Sequence, residues 1–272
     1  MTNTIRVYLI HYSAPEWILS SVSSVLASDS LVEVFVVDNS GDAPDFPQPV
    51  KVLRPDRNLG FAGAANFALR HSMSLCDSDL CVIGAHDLHV EPSTLRSLQD
   101  VMRTHPKIGV LGPRPDSGLA VRPVVRSEGN LDYVADISGT CMMIRHRTAA
   151  EVNGFDESMG SYVEDVEFCL RAGDLGWDVA RCRAVGAHGL GSAHSDMAIR
   201  LIAENRVLLR RRRDGLLSSI KLTAAHAYIG TRWCMTGRTR SGIAKLKALR
   251  RSILYAASPP KRIGLDMDGA PH

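Results

Sequence analysis

Runs of β-branched and aliphatic residues alternate with amphipathic segments through the first part of this chain, and few folds bury both kinds at once. "IRVYLIHYS", from Ile5, reads as a buried strand, "APEWILSSVSSVLAS" as an amphipathic helix and "VEVFVVDNS" as a second strand. "GDAPDFPQP" is a loop and "VKVLRP" a short third strand; "FAGAANFALRHS" then reads as a helix rich in small residues. "DLCVIGAHDLHV" runs from a strand into a polar turn, "EPSTLRSLQDVMRTHP" is a helix with a proline near its first turn, and "IGVLGPR" is another strand. This βαβα order predicts an α/β fold with a mostly parallel sheet and helices on both faces. In such sheets ligands collect at the carboxyl ends of the strands.

The pattern weakens from Ser117 to Asp136, which reads as a hairpin or loop. "ISGTCMMIR" returns as a buried strand, "RTAAEVNG" as a short helix and "WDVARCRAVGAHG" as a late strand leading into a histidine-bearing loop. No apolar run is long enough to span a membrane, and "MTNTIRVYLIHYS" lacks the layout of a signal peptide. The six cysteines form no CxxC pair and no disulfide framework, so a reducing cytoplasm is the simplest expectation. The net charge of +3 conceals an asymmetry: residues 1–199 hold 16 Lys and Arg against 25 Asp and Glu, residues 200–272 hold 16 against 4. A basic appendage on an acidic body is suited to polyanions.

Polar groups fall at strand ends. Asp38 closes the second strand, Asp87 follows "LCVIGAH" with His86 and His89 beside it, and His188 follows the last strand. Glu164, Asp165 and Glu167 open a helical pattern in "GSYVEDVEFCLRAG". Each has an ordinary explanation: Asp forms turns, acids favour helix N-termini, and Glu167 has an i,i+4 partner in Arg171. Four such positions at one edge of one sheet are harder to explain that way.

The order of "VVDNS", "NLGFAGAANFAL", "HDLHVEP", "ISGTCMMIRHRTAAEVNGFDES", "YVEDVEFCLRAGDLGWDV" and "HGLGS" resembles family 2 glycosyltransferases, particularly the rhamnosyltransferase-like branch, over roughly residues 5–195. The resemblance implies a GT-A type, Rossmann-like α/β sandwich, a nucleotide-sugar donor, Mn²⁺ or Mg²⁺, and direct displacement with inversion. Asp38 would accept the N3–H of a pyrimidine and Tyr12 offer a stacking face. Arg57 and Asn58 would reach polar ligand groups, with Gly60 and Gly63 letting the backbone approach the nucleotide; plain helix–sheet packing is the alternative for both glycines. Asp87 stands where the family places the last acid of its metal motif, and His188 matches a histidine that completes the site. Relatives commonly carry a second acid or Asn-Pro before that Asp; here it is Ala85-His86, with His86 assigned to the nucleotide and expected either to weaken metal binding or to favour Mn²⁺ over Mg²⁺. Asp165 maps onto the general base, with Glu164 supporting the site or orienting the acceptor. Gly139 and Thr140 correspond to the acceptor-side floor.

The expected organisation is a glycosyltransferase domain over 1–196 (nucleotide half 1–115, acceptor half 116–196), a basic helical extension over 197–257 and a disordered tail over 258–272. The donor is a dTDP- or UDP-sugar, the acceptor a lipid-linked saccharide or a small molecule. The extension has basic amphipathic stretches near Ile199–Arg213 and Ile243–Ala257. It suits peripheral contact with the inner face of the plasma membrane, acceptor phosphate, or the acidic body of a second subunit in a homodimer. Scarce aromatics there speak against nucleic acid. Two rivals remain: a non-catalytic nucleotide-sugar binding subunit, and a sugar nucleotidyltransferase, whose glycine-rich basic signature "LIHYSAPEW" lacks.

Overall fold

The computed structural model describes residues 4–115, 123–189 and 195–265. Two compact units share the chain: one spans Met1–Glu157, Glu164–Leu190 and Gly264–His272, the other Ser158–Val163 and Gly191–Ile263. The second unit therefore takes a short loop from within the span expected for the first.

The first unit holds strands β1 (Ile5–His11), β2 (Val32–Asp38), β3 (Lys51–Leu53), β4 (Leu80–Ala85), β5 (Leu88–Val90), β6 (Ile108–Pro115), β7 (Val124–Glu128), β8 (Leu131–Val134), β9 (Cys141–Arg145) and β10 (Asp178–Gly189). They form one sheet in the order β3-β2-β1-β4-β9-β6-β10-β8-β7, with β5 paired to β10. The pairings set β1, β2, β3, β4, β6, β7 and β10 in one direction and β5, β8 and β9 in the other. The sheet is thus mostly parallel, with β9 antiparallel between β4 and β6. The weakly patterned segment before Asp136 contains the β7–β8 hairpin, and all of β7 is exposed, so no apolar face marks it.

Alternation along the strands fills both faces. Val7, Leu9, Val34, Val36 and Val82 pack on α1 (Pro15–Leu26) and α3 (Thr94–Thr104) through Ile18, Val22, Val25, Leu95, Leu98 and Met102. Tyr8, Ile10, Phe35, Val37 and Ile83 face the other side, against α2 (Gly60–Ser74), α4 (His146–Glu151) and α5 (Glu164–Asp174), through Ala65, Leu69, Ala149 and Phe168. Full burial of one such aliphatic or Phe side chain contributes roughly 1.5–3 kcal/mol. The small residues of α2 let it lie close on the sheet.

The second unit is helical: α6 (Asp196–Met235), α7 (Thr239–Lys247) and α8 (Leu249–Ala257). Ser195 caps α6, its side chain accepting the Ala198 N–H, and Gly215, at φ 84° and ψ −173°, breaks α6 in two. Met159, Val207, Leu208, Tyr255 and Ala256 make its small core. Asn205, 1% exposed, donates to the carbonyls of Met159, Ser161 and Tyr162 at 2.8, 2.9 and 2.7 Å. The stripe expected along 243–257 is divided between α7 and α8, leaving Ile243 and Ile253 exposed and Leu246 and Leu249 half-buried. Of the segment expected as a tail, residues up to Leu265 are described: Arg212 donates to the Pro260 carbonyl, while Leu265 is buried and donates its N–H to the Asn153 carbonyl. Residues 266–272 lie outside the described residues.

Candidate active site

One sheet edge gathers most of the polar groups singled out above. His11, at the end of β1, lies opposite Asp38, at the end of β2, and Ile10 opposite Ala85, at the end of β4. Because β9 runs antiparallel, its beginning comes to this same edge: Gly84 pairs with Cys141, and the Ala85 N–H donates to the Thr140 carbonyl at 3.2 Å. The parallel β10 delivers His188 and Gly189 at its own carboxyl end.

Asp165, half-buried in the first turn of α5, accepts the Gly139 N–H on Oδ2 at 2.8 Å and the Val166 N–H on Oδ1 at 2.7 Å. Gly139 has little room for a side chain, since a Cβ there would stand 3.3 Å from the Phe61 ring and 3.6 Å from the Asp165 Cβ. Thr140 bonds Ser138 through its hydroxyl at 3.0 Å. The backbone entering α5 is strained: Tyr162 and Val163 have φ of 69° and 74°. For a β-branched residue that conformation costs on the order of 1–3 kcal/mol.

Glu164 behaves differently from its neighbour. It is 5% exposed, and its Oε2 has no hydrogen-bond partner. Burial, reinforced by the adjacent Asp165 charge, raises its carboxyl well above the usual carboxylate range. From the unfolded value near 4.5 up to the raised folded value, the folded protein holds a proton the unfolded chain has lost. Stability therefore falls as pH rises through that window, by up to about 1.4 kcal/mol per pH unit. Glu164→Gln, which cannot ionise, is expected to flatten that fall and to melt above wild type at neutral pH. Equal pH slopes in the two proteins would dismiss Glu164 as the source.

Glu167 is 1% exposed and belongs to the fold: Arg171 Nε lies 2.8 Å from each of its carboxylate oxygens, and the guanidinium also donates to the carbonyls of Val152 and Gly154.

Asp87, 5% exposed, sits in the turn between β4 and β5. A Cβ on Gly189 would stand 2.9 Å from its Oδ2, so glycine there keeps the space beside the carboxylate open. His188 lies opposite His89 across the β10–β5 pair, with ring centres 5.1 Å apart. His86 holds the backbone in place, for its Nδ1 accepts the Tyr12 N–H at 3.2 Å, which puts the ring proton on Nε2. Burial lowers its pKa and favours that neutral form. Tyr12 itself is 42% exposed and open for stacking.

Asp38, 3% exposed, closes a turn by accepting the Gly41 N–H at 2.8 Å, and Arg54 Nε lies 3.4 Å from its Oδ2. Among the described residues, His11, Asp38 and Asp42 form the one group of three with ligand atoms all within 4.8 Å. His11 Nε2 and Asp42 Oδ1 are 3.0 Å apart. The sequence pattern does not reveal His11 and Asp42, because they face each other only through strand register and a turn. Nor does it reveal Asn39, whose amide reaches Asn58 Oδ1 and the Gly60 carbonyl and whose Oδ1 accepts the Leu59 N–H at 2.7 Å.

Asn58 thus organises the start of α2, its Oδ1 also accepting the Gly60 N–H at 2.8 Å, and Arg57 is exposed. Gly60 enters the helix at φ 68°, a left-handed conformation suited to glycine. A Cβ on Gly63 would meet Leu59 Cβ at 2.8 Å and Glu157 Oε2 at 3.6 Å, so packing accounts for that glycine. Of "HGLGS", Leu190, Gly191 and Ser192 lie outside the described residues.

The family model described as Glycosyl transferase family 2 matches residues 7–149. Over 211 residues the chain is 23% identical to the low-salt glycan biosynthesis hexosyltransferase Agl10 of Haloferax volcanii, covering 69% of this chain and 67% of that one. Over 226 residues it is 26% identical to the N-acetylglucosaminyl-diphospho-decaprenol L-rhamnosyltransferase of Mycobacterium tuberculosis, covering 65% and 73%. Among solved structures, the mannosyltransferase PcManGT from Pyrobaculum calidifontis in complex with GDP-Man and Mn²⁺ aligns with a TM-score of 0.61 at 14% identity, over 94% of this chain and 88% of that one. That likeness is one of fold, the GT-A fold. With a family match over more than half of its length, the chain belongs to glycosyl transferase family 2 and is a glycosyltransferase.

Proposed function

We propose that the protein transfers a sugar, a deoxysugar such as rhamnose, from a pyrimidine nucleotide donor to a hydroxyl of a lipid-linked saccharide, by metal-assisted displacement with inversion. The observation that carries this reading is the Asp165–Gly139 bond, which fixes a half-buried carboxylate at the edge where β1, β2, β4 and β10 end. Asp165 takes the acceptor proton as the oxygen attacks the anomeric carbon. Burial and the adjacent Asp165 charge favour the protonated form of Glu164, which lessens the charge beside the base. Asp38 has lone pairs beyond those its turn uses and accepts the pyrimidine N3–H, and Tyr12 stacks on the base.

Asp87, an oxygen ligand beside the space that Gly189 leaves, fits a hard divalent ion; the family resemblance adds the imidazole of His188, which suits Mn²⁺. When bound, the ion neutralises charge developing on the leaving nucleoside diphosphate. The decaprenol-linked substrate in the mycobacterial relative's name favours a lipid-linked acceptor. No described helix is long and apolar enough to cross a membrane; exposed Ile253 and Leu254 beside Arg250 offer a surface for peripheral contact with lipid.

Asp87→Ala is expected to lower Mn²⁺-dependent release of nucleoside diphosphate from dTDP-rhamnose or a UDP-sugar at least ~100-fold, a loss of about 2.7 kcal/mol in transition-state stabilisation. A donor panel read by diphosphate release checks this. Unchanged release in the variant would remove Asp87 from the metal role, and no turnover of any donor by wild type would defeat the donor assignment.

A further inference from the structure

Positive charge in the second unit is gathered along one helix seam without matching acid. α7 lies tightly on the later half of α6: a Cβ at Gly242 would meet Cys234 Sγ at 2.6 Å, and one at Gly230 would meet Leu246 Cγ at 2.9 Å. His226, one turn before Gly230 on the same face, is 4% exposed, and its Nδ1 has no hydrogen-bond partner. Lys245, the neighbour of Leu246, is half-buried and holds its Nζ 5.3 Å from the centre of the Trp233 ring. Arg206, exposed on the earlier half of α6, bears electrostatically on both His226 and Lys245. Along a straight helix Arg206 and His226 would be about 30 Å apart. The break at Gly215 interrupts that straight path, and the two lie near enough to interact electrostatically.

Burial pushes the His226 imidazole down to about 4 and also lowers Lys245, and the neighbouring cations add to both effects. The described second unit has three acids: Asp196, in the first turn of α6, Glu204 and Asp214. Glu204 faces Arg200 and Arg251, both at 3.7 Å, and Asp214 pairs with Arg210. Thus Arg206 and Lys245 have no carboxylate partner among the described residues, and His226 keeps a buried nitrogen free to donate. Cationic donors held together against their own repulsion by close helix packing are matched by a multiply charged anion with several acceptor oxygens.

We propose that Arg206, His226 and Lys245 form a binding site for a phosphate or diphosphate group. This rests on the function proposed above only for the carrier of that group, a lipid-linked acceptor. The phosphate oxygens accept from the Arg206 guanidinium, the Lys245 ammonium and His226 Nδ1–H, and Lys245 leaves the Trp233 ring to reach them.

The test uses the full chain with inorganic pyrophosphate, followed by calorimetry and tryptophan emission, alongside sedimentation with vesicles of phosphatidic acid or of phosphatidylcholine. Saturable pyrophosphate binding is expected, weakened at least tenfold in the double variant Arg206→Gln, Lys245→Gln and restored toward wild type by Lys245→Arg in place of Lys245→Gln. Trp233→Phe should abolish the emission change while calorimetric binding persists. Binding to phosphatidic acid vesicles alone, lost in the double variant, also supports the site and assigns its phosphate to a lipid headgroup. Binding of neither probe, or equal binding by wild type and a double variant that melts like wild type, overturns the proposal. Donor turnover with Mn²⁺, measured in the same variants, is expected to be unchanged, so failure of the phosphate site and failure of the transferase assignment are read separately.

Discussion

Asp165→Asn is expected to lose transfer by about 10²–10⁴-fold while its affinity for nucleotide stays near wild type. Asparagine keeps the shape of the side chain, and its amide oxygen can still accept the Gly139 N–H that holds Asp165 at 2.8 Å. What it loses is the basicity needed to take the acceptor proton. Rates should therefore fall through kcat, because the interaction lost is made only as the proton moves. Glu164→Gln supplies the contrast: that carboxyl is buried and shifted toward its protonated form, which the amide resembles, so transfer should fall less than about tenfold. If Asp165→Asn transfers sugar at the wild-type rate, or if Glu164→Gln is the more damaging change, the base has been assigned to the wrong member of the pair. Purified variants compared for product formation and nucleotide binding settle it.

Arg171→Met should be the most destabilising change in this helix, by about 3–5 kcal/mol. Glu167 is 1% exposed, and the Arg171 guanidinium answers its charge while also satisfying the carbonyls of Val152 and Gly154. Removing the cation takes from a buried carboxylate the charge that answers it, and from two carbonyls their guanidinium donor. Replacing both members, as Glu167→Leu with Arg171→Leu, should recover part of the loss, because no uncompensated charge then remains. Urea unfolding measures both. A loss under ~1 kcal/mol in Arg171→Met, well below the range for a buried pair, would show that the pair is not structural. Glu167 would then return to consideration as a site residue.

Family membership, together with relatives named as hexosyl- and rhamnosyltransferases, speaks against both rivals that the sequence pattern leaves open. The Glu167–Arg171 pair is legible in the sequence because an i,i+4 spacing on a helix places its members together whatever the tertiary fold. The contact between Asp165 and Gly139 is not, for it joins the starts of a helix and a strand 26 positions apart. Position beside Asp87 assigns His86 to the nucleotide, yet its ring nitrogen is taken by the Tyr12 backbone, a partner 74 residues away. Gly63 has two readings in the sequence, and only the positions of Leu59 and Glu157 favour packing.

Local order in the sequence determined the elements: two-residue alternation set strands with both faces apolar, helical spacing set α1 and α3, and six short motifs in sequence pointed to the family. Those signals act between near neighbours, so they survive without knowledge of the fold. Strand direction and the course of a broken helix leave no such local mark. The antiparallel placement of β9 brought Gly139 and Thr140 to the edge where Asp38 and Asp87 lie, and the break at Gly215 interrupts the straight path between Arg206 and His226, which interact electrostatically. The burial that separates Glu164 from Asp165 likewise depends on what packs around each carboxyl, which only the tertiary structure decides.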